Sequence, residues 1–474
     1  MFGYCLPEFD STKDLLMDVY SQMDETANLQ SYFIDLKNCW ELILIMTVVV
    51  FVTTIFYIFI LRWIAKPLLY TSMLLLLVCG ILLGAWSWFK KDQFPSDSNN
   101  YMYAQYGAIL AWTVSGLYLI FVLCQWRNIS LGASILESAS DFLSSNTRVV
   151  WLPIITYLLC LPIFAWWTYS SVFLMSMGEP FQEKDSFVAS MKYEEYVKYL
   201  WWGFLFGFFW LTAFLIAIQQ FAIGASTCMW YFSGAGSDDN SSAGDVSVNL
   251  GIRWAITYHM GSLAWGSFLI AVITLIKVIF EYLAKKYESM AGKDGAIYKA
   301  VTCCLRCVIW CIDAYIKFVN KNAYIQIALH NSHFCKAMQE SFYLMVRHAG
   351  RFSSAGIIGW IITALGKGAL IAGNAYIAIL LCREYYPEIT QPFIPAFIVA
   401  LIAYLVSSLF LTIYDFSSLA ILHCFLMDED FGGSEKTPKS LTKFLEINDE
   451  MANVDIKPQR KKTETEATNV NQME

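Results

Sequence analysis

The sequence predicts an all-α fold, a polytopic helical membrane protein with about nine transmembrane helices. Three observations predict it. Hydrophobic residues make up 57% of the 474 and charged residues 15%, against about 45–50% and about 25% in soluble domains. About nine stretches stay apolar for roughly 20 residues or more, enough to cross a ~30 Å hydrocarbon layer. No charged side chain interrupts Leu42 to Leu61 or Leu68 to Phe89. Lipid offers the backbone no hydrogen-bond partner, so these stretches must satisfy their own N–H and C=O groups as helices.

The spans fall at residues 40–62, 68–89, 103–124, 149–175, 200–232, 254–283, 303–335, 355–382 and 394–426. The seventh carries Arg306, Asp313, Lys317 and Lys321. It must therefore pack against protein or run partly along the interface, because charges facing lipid are costly. Residues 1–38 are polar and acidic and lack the basic start and apolar run of a signal peptide. They read as an extracellular segment before a transmembrane domain at 39–427. Residues 428–474 mix Lys, Glu, Thr, Asn and Pro and read as a disordered cytoplasmic tail.

Lys and Arg in short loops set the orientation. Arg62 and Lys66, Arg127 and Arg148, and Arg347 and Arg351 mark three cytoplasmic turns, placing the N-terminus outside and the C-terminus inside. Lys285 and Lys286 disagree, falling outside in this scheme. The loop from Gly178 to Lys198 is acidic and faces outward, and the loop from Ser233 to Gly251 is Gly/Ser/Asp-rich and flexible. Two sequons, at Asn128 and Asn240, fall in loops placed inside and read as chance matches.

The net charge of −7 argues against a nucleic-acid partner. Most of the 13 cysteines lie in apolar stretches and act as small hydrophobes, while Cys5 reads as a free thiol in the polar N-terminal segment. Cys304, Cys307 and Cys311 share a helix face beside Cys303, but packing or acylation outweighs a zinc site, which needs a tetrahedral ligand set. No phosphate loop or metalloprotease motif occurs. Neither a cofactor, a metal nor a catalytic residue is implied. His259, Asn331 and His333 could be arranged as an intramembrane acyltransferase, though polar groups capping a structural histidine are commoner.

Polar and aromatic residues inside spans carry the remaining signal. Lys277 and Glu281 are spaced i, i+4 and can pair on one helix face. Asp415 and Lys367 can pair across helices or mark a water-filled path. Glycines between Gly356 and Gly373 allow close helix approach. Trp166, Trp167 and Tyr169 cluster in the fourth span, Trp210 lies in the fifth, and Trp254, Tyr258 and Trp265 recur on one side of the sixth. Aromatic faces attract cations, and a cage of them suits a quaternary ammonium ion, although packing and interfacial anchoring explain most single tryptophans.

From His259 onward the chain resembles the choline transporter-like family of solute carriers. The resemblance rests on His259 with GSLAWGSFLIAVITLIKVIFEYL at 261–283, CCLRCVIWC at 303–311 and NAYIQIALHNSHFC at 322–335. Phe342 to Arg347, Leu365-Gly366-Lys367, Tyr414, and Cys424 through Asp428 extend it. Residues 1–198 match more loosely, through Cys5-Leu6-Pro7 and Trp166-Trp167. Trp265 stands where the family usually has Phe, and Lys277 where it often has Arg. Against the family pattern the chain is expected to start inside a long extracellular loop, after the first family helix. The family's acidic residue five places before the cysteine matching Cys424 is Leu419 here, with Asp415 on the same helix face.

The resemblance implies transport of choline, or of a related organic cation such as ethanolamine, through a lipid bilayer by alternating access. The plasma membrane is the expected location, with an organelle membrane as the alternative. Trp167, Trp210, Tyr258 and Trp265 are the expected cage, with Gln219 and Asp415 as its polar complement. The competing classes are a lipid-modifying membrane enzyme and a non-transporting membrane scaffold.

Overall fold

The computed structural model describes residues 39–93, 95, 99–181, 190–234, 247–291, 296–386, 392–431, 437–442 and 444. Among them eight helical segments are long and apolar enough to cross a membrane. Eleven α-helices follow in order. The first five are α1 (Trp40–Lys91), α2 (Asn99–Cys124), α3 (Trp126–Ser145), α4 (Trp151–Ser176) and α5 (Glu195–Phe232). Then come α6 (Val248–Thr257), α7 (Met260–Ala291), α8 (Ala296–His330), α9 (Phe334–Arg347), α10 (Ala349–Tyr385) and α11 (Phe393–Asp430). A short antiparallel pair, β1 (Glu179–Phe181) and β2 (Ser190–Lys192), sits in the loop between α4 and α5. Cys5 and Asn240 lie outside the described residues.

The chain divides into two compact units. One comprises residues 1–57 and 364–410, and within it α1 meets α10 and α11. Thr53 and Asn374 exchange a side-chain hydrogen bond, with Asn374 Nδ2 3.2 Å from Thr53 Oγ1. Phe51 meets Phe410 edge-on at 6.1 Å. Gly366 packs under Tyr57, where a Cβ would come within 2.6 Å of the phenol oxygen. Only a residue without a side chain permits that approach. The other unit comprises residues 58–363 and 411–474 and holds the polar groups described below.

Several expectations need correction. The turn expected between the first two spans is absent: α1 runs unbroken for 52 residues, with Pro67 inside it. It supplies two of the eight apolar segments, Trp40–Leu61 and Trp63–Lys91. The basic stretch at 125–148, expected as a cytoplasmic loop, is mostly the helix α3. Its buried residues include Gly132, Ala133, Ser134, Ser138, Ala139 and Ser140. Small side chains let neighbours approach closely: Tyr414 of α11 donates to the Leu136 carbonyl at 3.0 Å, and Phe142 meets Trp230 of α5 at 5.7 Å. Asn128 lies in this helix with its amide bonded to Gln125 at 2.7 Å.

The sixth expected span breaks at Tyr258–His259 into α6 and α7. The seventh ends at His330 because Asn331 takes a left-handed φ of 53°, a conformation that Asn tolerates better than most residues. Asn331 and His333 therefore lie in a turn rather than in a span. The tail is not uniformly disordered from 428 onward. Helix α11 continues to Asp430, and beyond it Leu441 is fully buried, Ser440 bonds to Ser138, and Thr437 donates to Asp428 at 3.1 Å.

Candidate functional site

The charges of α8 decide how this helix can sit among apolar neighbours. Asp313 is 7% exposed and accepts from Lys277 of α7 at 2.8 Å and from Lys317 at 2.9 Å. Arg306 grips Glu281 of α7 with two bonds, at 2.7 and 2.8 Å. Lys321 faces Asp415 of α11 at 3.5 Å. All four charged residues that made the seventh span doubtful are thus paired. The expected Lys277–Glu281 pair is replaced by two pairs across to α8, because the facing helix offers each partner a closer opposite charge. These pairs also fix direction. Lys277–Asp313 and Glu281–Arg306 make α7 and α8 antiparallel, while Lys321–Asp415 and Gln326–His423 make α8 and α11 parallel.

A chain of polar side chains continues along the α8–α11 contact. His330 Nδ1 meets Gln326 Oε1 at 2.8 Å, Gln326 Nε2 meets His423 Nδ1 at 3.2 Å, and His423 Nε2 meets Asn322 Oδ1 at 2.7 Å. Asn322 Nδ2 then donates to the Phe318 carbonyl at 2.7 Å. With these amide assignments each group donates to the next, and a neutral His423 protonated on Nε2 satisfies every step. His423 and Asn322 are fully buried, which makes a complete chain necessary. His423 was not singled out from the sequence. The signal that could have found it is an imidazole inside a long apolar run. Beside Gln326 and His330, a cleft of about 660 Å³ opens between α8, α9 and the end of α11, lined also by Glu340, Tyr343, Asp430 and Phe431.

Several buried polar atoms in this unit make no hydrogen bond among the described residues, including Gln219 Oε1 on α5, Asp313 Oδ1 and Tyr324 Oη on α8, and Ser417 Oγ on α11. Unsatisfied groups of this kind are rare and call for an explanation. Asp415 differs from them and from Asp313. Its side chain is 45% exposed, its partner is distant, and its open side meets Gly359 of α10, where a Cβ would lie 3.6 Å from Oδ1.

The four aromatic residues expected as a cage are not brought to one cavity among the described residues. Trp167 sits between α4 and α5, stacked on Phe208 at 4.8 Å and close to Trp201 and Phe204. Its indole nitrogen is buried without a partner. Trp210 and Trp265 both contact Phe268, at 5.6 Å each, but they are 39% and 51% exposed. The Trp210 indole already donates to the Ala264 carbonyl at 3.1 Å. Tyr258 is 72% exposed at the end of α6. Exposed rings on crossing helices are what lipid packing and interfacial anchoring require.

His259 packs on Phe221 at 5.1 Å. His333 begins α9 without a side-chain cap, and no hydrogen bond joins it to His259 among the described residues. Cys303, Cys304, Cys307 and Cys311 are all exposed, and no cluster that could hold a metal occurs among the described residues.

The family model for the plasma-membrane choline transporter matches residues 109–430, which include α3 to α11. The chain belongs to this choline transporter family. Choline transporter-like protein 2 of Dictyostelium discoideum is 24% identical over 471 residues, covering 94% of this chain and 74% of its own length. Choline transporter-like protein 3 of Bos taurus is 24% identical over 474 residues, covering 98% and 71%. Choline transporter-like protein 1 of Xenopus laevis is 26% identical over 340 residues, covering 72% of this chain and 51% of its own length. The chain thus spans between about half and three quarters of the length of these relatives. Family membership and eight apolar crossing segments together make it an integral, multi-pass membrane protein.

Proposed function

We propose that this member of the choline transporter family moves choline, or a related organic cation such as ethanolamine, across the plasma membrane by alternating access. The family supplies the substrate class. One observation supports the mechanism: Asp415 is a half-exposed carboxylate held only loosely, 3.5 Å from Lys321. A carboxylate within a membrane-crossing helix is costly unless it is paired or used. The buried Asp313 is committed to two short pairs and is structural. Asp415 can exchange its partner. A substrate ammonium group entering beside Gly359 displaces Lys321 and takes the carboxylate, while Gln219, Tyr324 and Ser417 offer polar atoms that lack partners.

Of the expected site residues, Asp415 and Gln219 then carry recognition. Trp167, packed between α4 and α5 on Phe208 and Trp201, takes no part in this reading. Trp210, Tyr258 and Trp265 act as lipid-facing anchors. Rocking of one helix group against another would expose the site to alternate sides. The test is uptake of labelled choline by vesicles containing the purified protein, with ethanolamine and larger quaternary amines as competitors. Saturable uptake that choline and ethanolamine inhibit, and bulky amines inhibit less, is expected. Absence of saturable uptake would reject the reading.

A further inference from the structure

A second cavity lies apart from the α8 seam, where the end of α4, the start of α5 and the far part of α7 meet. Its volume is about 320 Å³, and its walls include Met175, Tyr193, Lys198, Trp201, Trp202 and Tyr282. Four of these six residues are aromatic. Trp202 and Tyr282 meet at 5.9 Å with their planes 71° apart, forming a corner of two ring faces. Trp201 leans on Trp167 at 6.0 Å, which fixes a further ring. Lys198 precedes Trp201 and Trp202 by three and four residues on α5, so all three share one helix face. Among the described residues no carboxylate pairs with Lys198, whose neighbours Glu194 and Glu195 are exposed at the start of the helix.

The two features select different charges. Ring faces arranged as a corner attract a quaternary ammonium ion. The ammonium group of Lys198 repels a bare cation and attracts a phosphate. A ligand carrying both charges a few bonds apart satisfies the pocket, and neither charge alone does. We infer that this cavity binds a phosphocholine group, with the trimethylammonium end against Trp201, Trp202 and Tyr282 and the phosphate on Lys198. Leu174, Met175 and Val197 give the remaining wall an apolar character that suits a glycerol backbone or the start of an acyl chain. The group can therefore come from soluble phosphocholine or from the head of a phosphatidylcholine molecule.

The experiment uses the purified full chain in a maltoside detergent, with two arms. The first measures equilibrium binding of labelled phosphocholine, with choline and inorganic phosphate as competitors. The second counts, by native mass spectrometry, phosphatidylcholine and phosphatidylglycerol retained from equimolar mixed micelles. Both arms are repeated for Lys198→Gln, an exposed substitution that the fold should tolerate, and for Trp202→Leu. Saturable phosphocholine binding, weakened about tenfold or more by each variant, identifies the soluble source. Selective retention of phosphatidylcholine, lost in both variants, identifies the lipid. Either outcome supports the site. Equal competition by choline alone or by inorganic phosphate alone overturns it, as does binding that neither variant changes. Absence of both phosphocholine binding and phosphatidylcholine preference also overturns it.

Discussion

Two aspartates on the α8 interface face lysines, and they are built differently. Asp313 is almost fully buried and touches Lys277 and Lys317 at 2.8 and 2.9 Å. Asp415 is nearly half exposed and stands 3.5 Å from Lys321. The first arrangement satisfies a charge that the helix has to carry through apolar surroundings, and it gains nothing from opening. The second leaves a carboxylate with one partner, at 3.5 Å, beside Gly359 of α10. A buried ion pair that lacks a second role is often no better than a well-packed apolar contact. On this contrast we propose that Asp313 serves architecture and Asp415 serves recognition.

The largest expected effect breaks the comparison directly. Asp415→Asn keeps the shape and removes the charge, and choline uptake should fall about a hundredfold, equivalent to roughly 2.7 kcal/mol. Its thermal midpoint should stay close to wild type. Equal losses of uptake and stability would make Asp415 as structural as Asp313. Asp313→Asn comes next, with the opposite signature. It leaves Lys277 and Lys317 without their shared counter-charge, so stability should drop by about 2 kcal/mol, below the cost for a fully buried pair because both lysines are partly exposed. Thermal unfolding in detergent measures this, and choline affinity in the remaining folded fraction should hold.

Smaller effects sharpen the account. Lys321→Gln removes the ammonium group that competes for Asp415, so the apparent affinity for choline should rise about threefold, or roughly 0.7 kcal/mol. Weaker binding in that variant would mean that Lys321 positions the carboxylate instead of competing with the substrate. Trp265→Leu keeps an apolar side chain on an exposed helix face, and choline affinity should change less than about twofold. A tenfold loss there would return Trp265 to the binding site and revive the cage expected from the sequence.

The helical membrane architecture was legible because hydropathy over about 20 residues reports the solvent directly. Boundaries and partners were less so. Arg62 and Lys66 marked a cytoplasmic turn, yet helix α1 continues through them and through Pro67, since charges at the end of an apolar run bias a boundary without compelling one. The stretch between Arg127 and Arg148 read as a loop, but most of it forms a helix buried against Tyr414 and Trp230, and its small residues are what such close packing requires. Lys277 and Glu281 satisfied the i, i+4 rule, but spacing within one helix says nothing about the charges a facing helix presents. Trp210, Tyr258 and Trp265 lie on exposed surfaces, and periodicity cannot distinguish an inner face from a lipid face. Gln219 and Asp415 stand out in the sequence because polar groups in apolar spans are few.

The most direct test is equilibrium binding of labelled choline to the purified chain, comparing wild type with Asp415→Asn and Lys321→Gln in one preparation. The account predicts opposite shifts, with binding nearly lost in the first variant and strengthened in the second. Equal affinity in all three proteins would contradict it, because the substrate ammonium would then have no stake in that carboxylate.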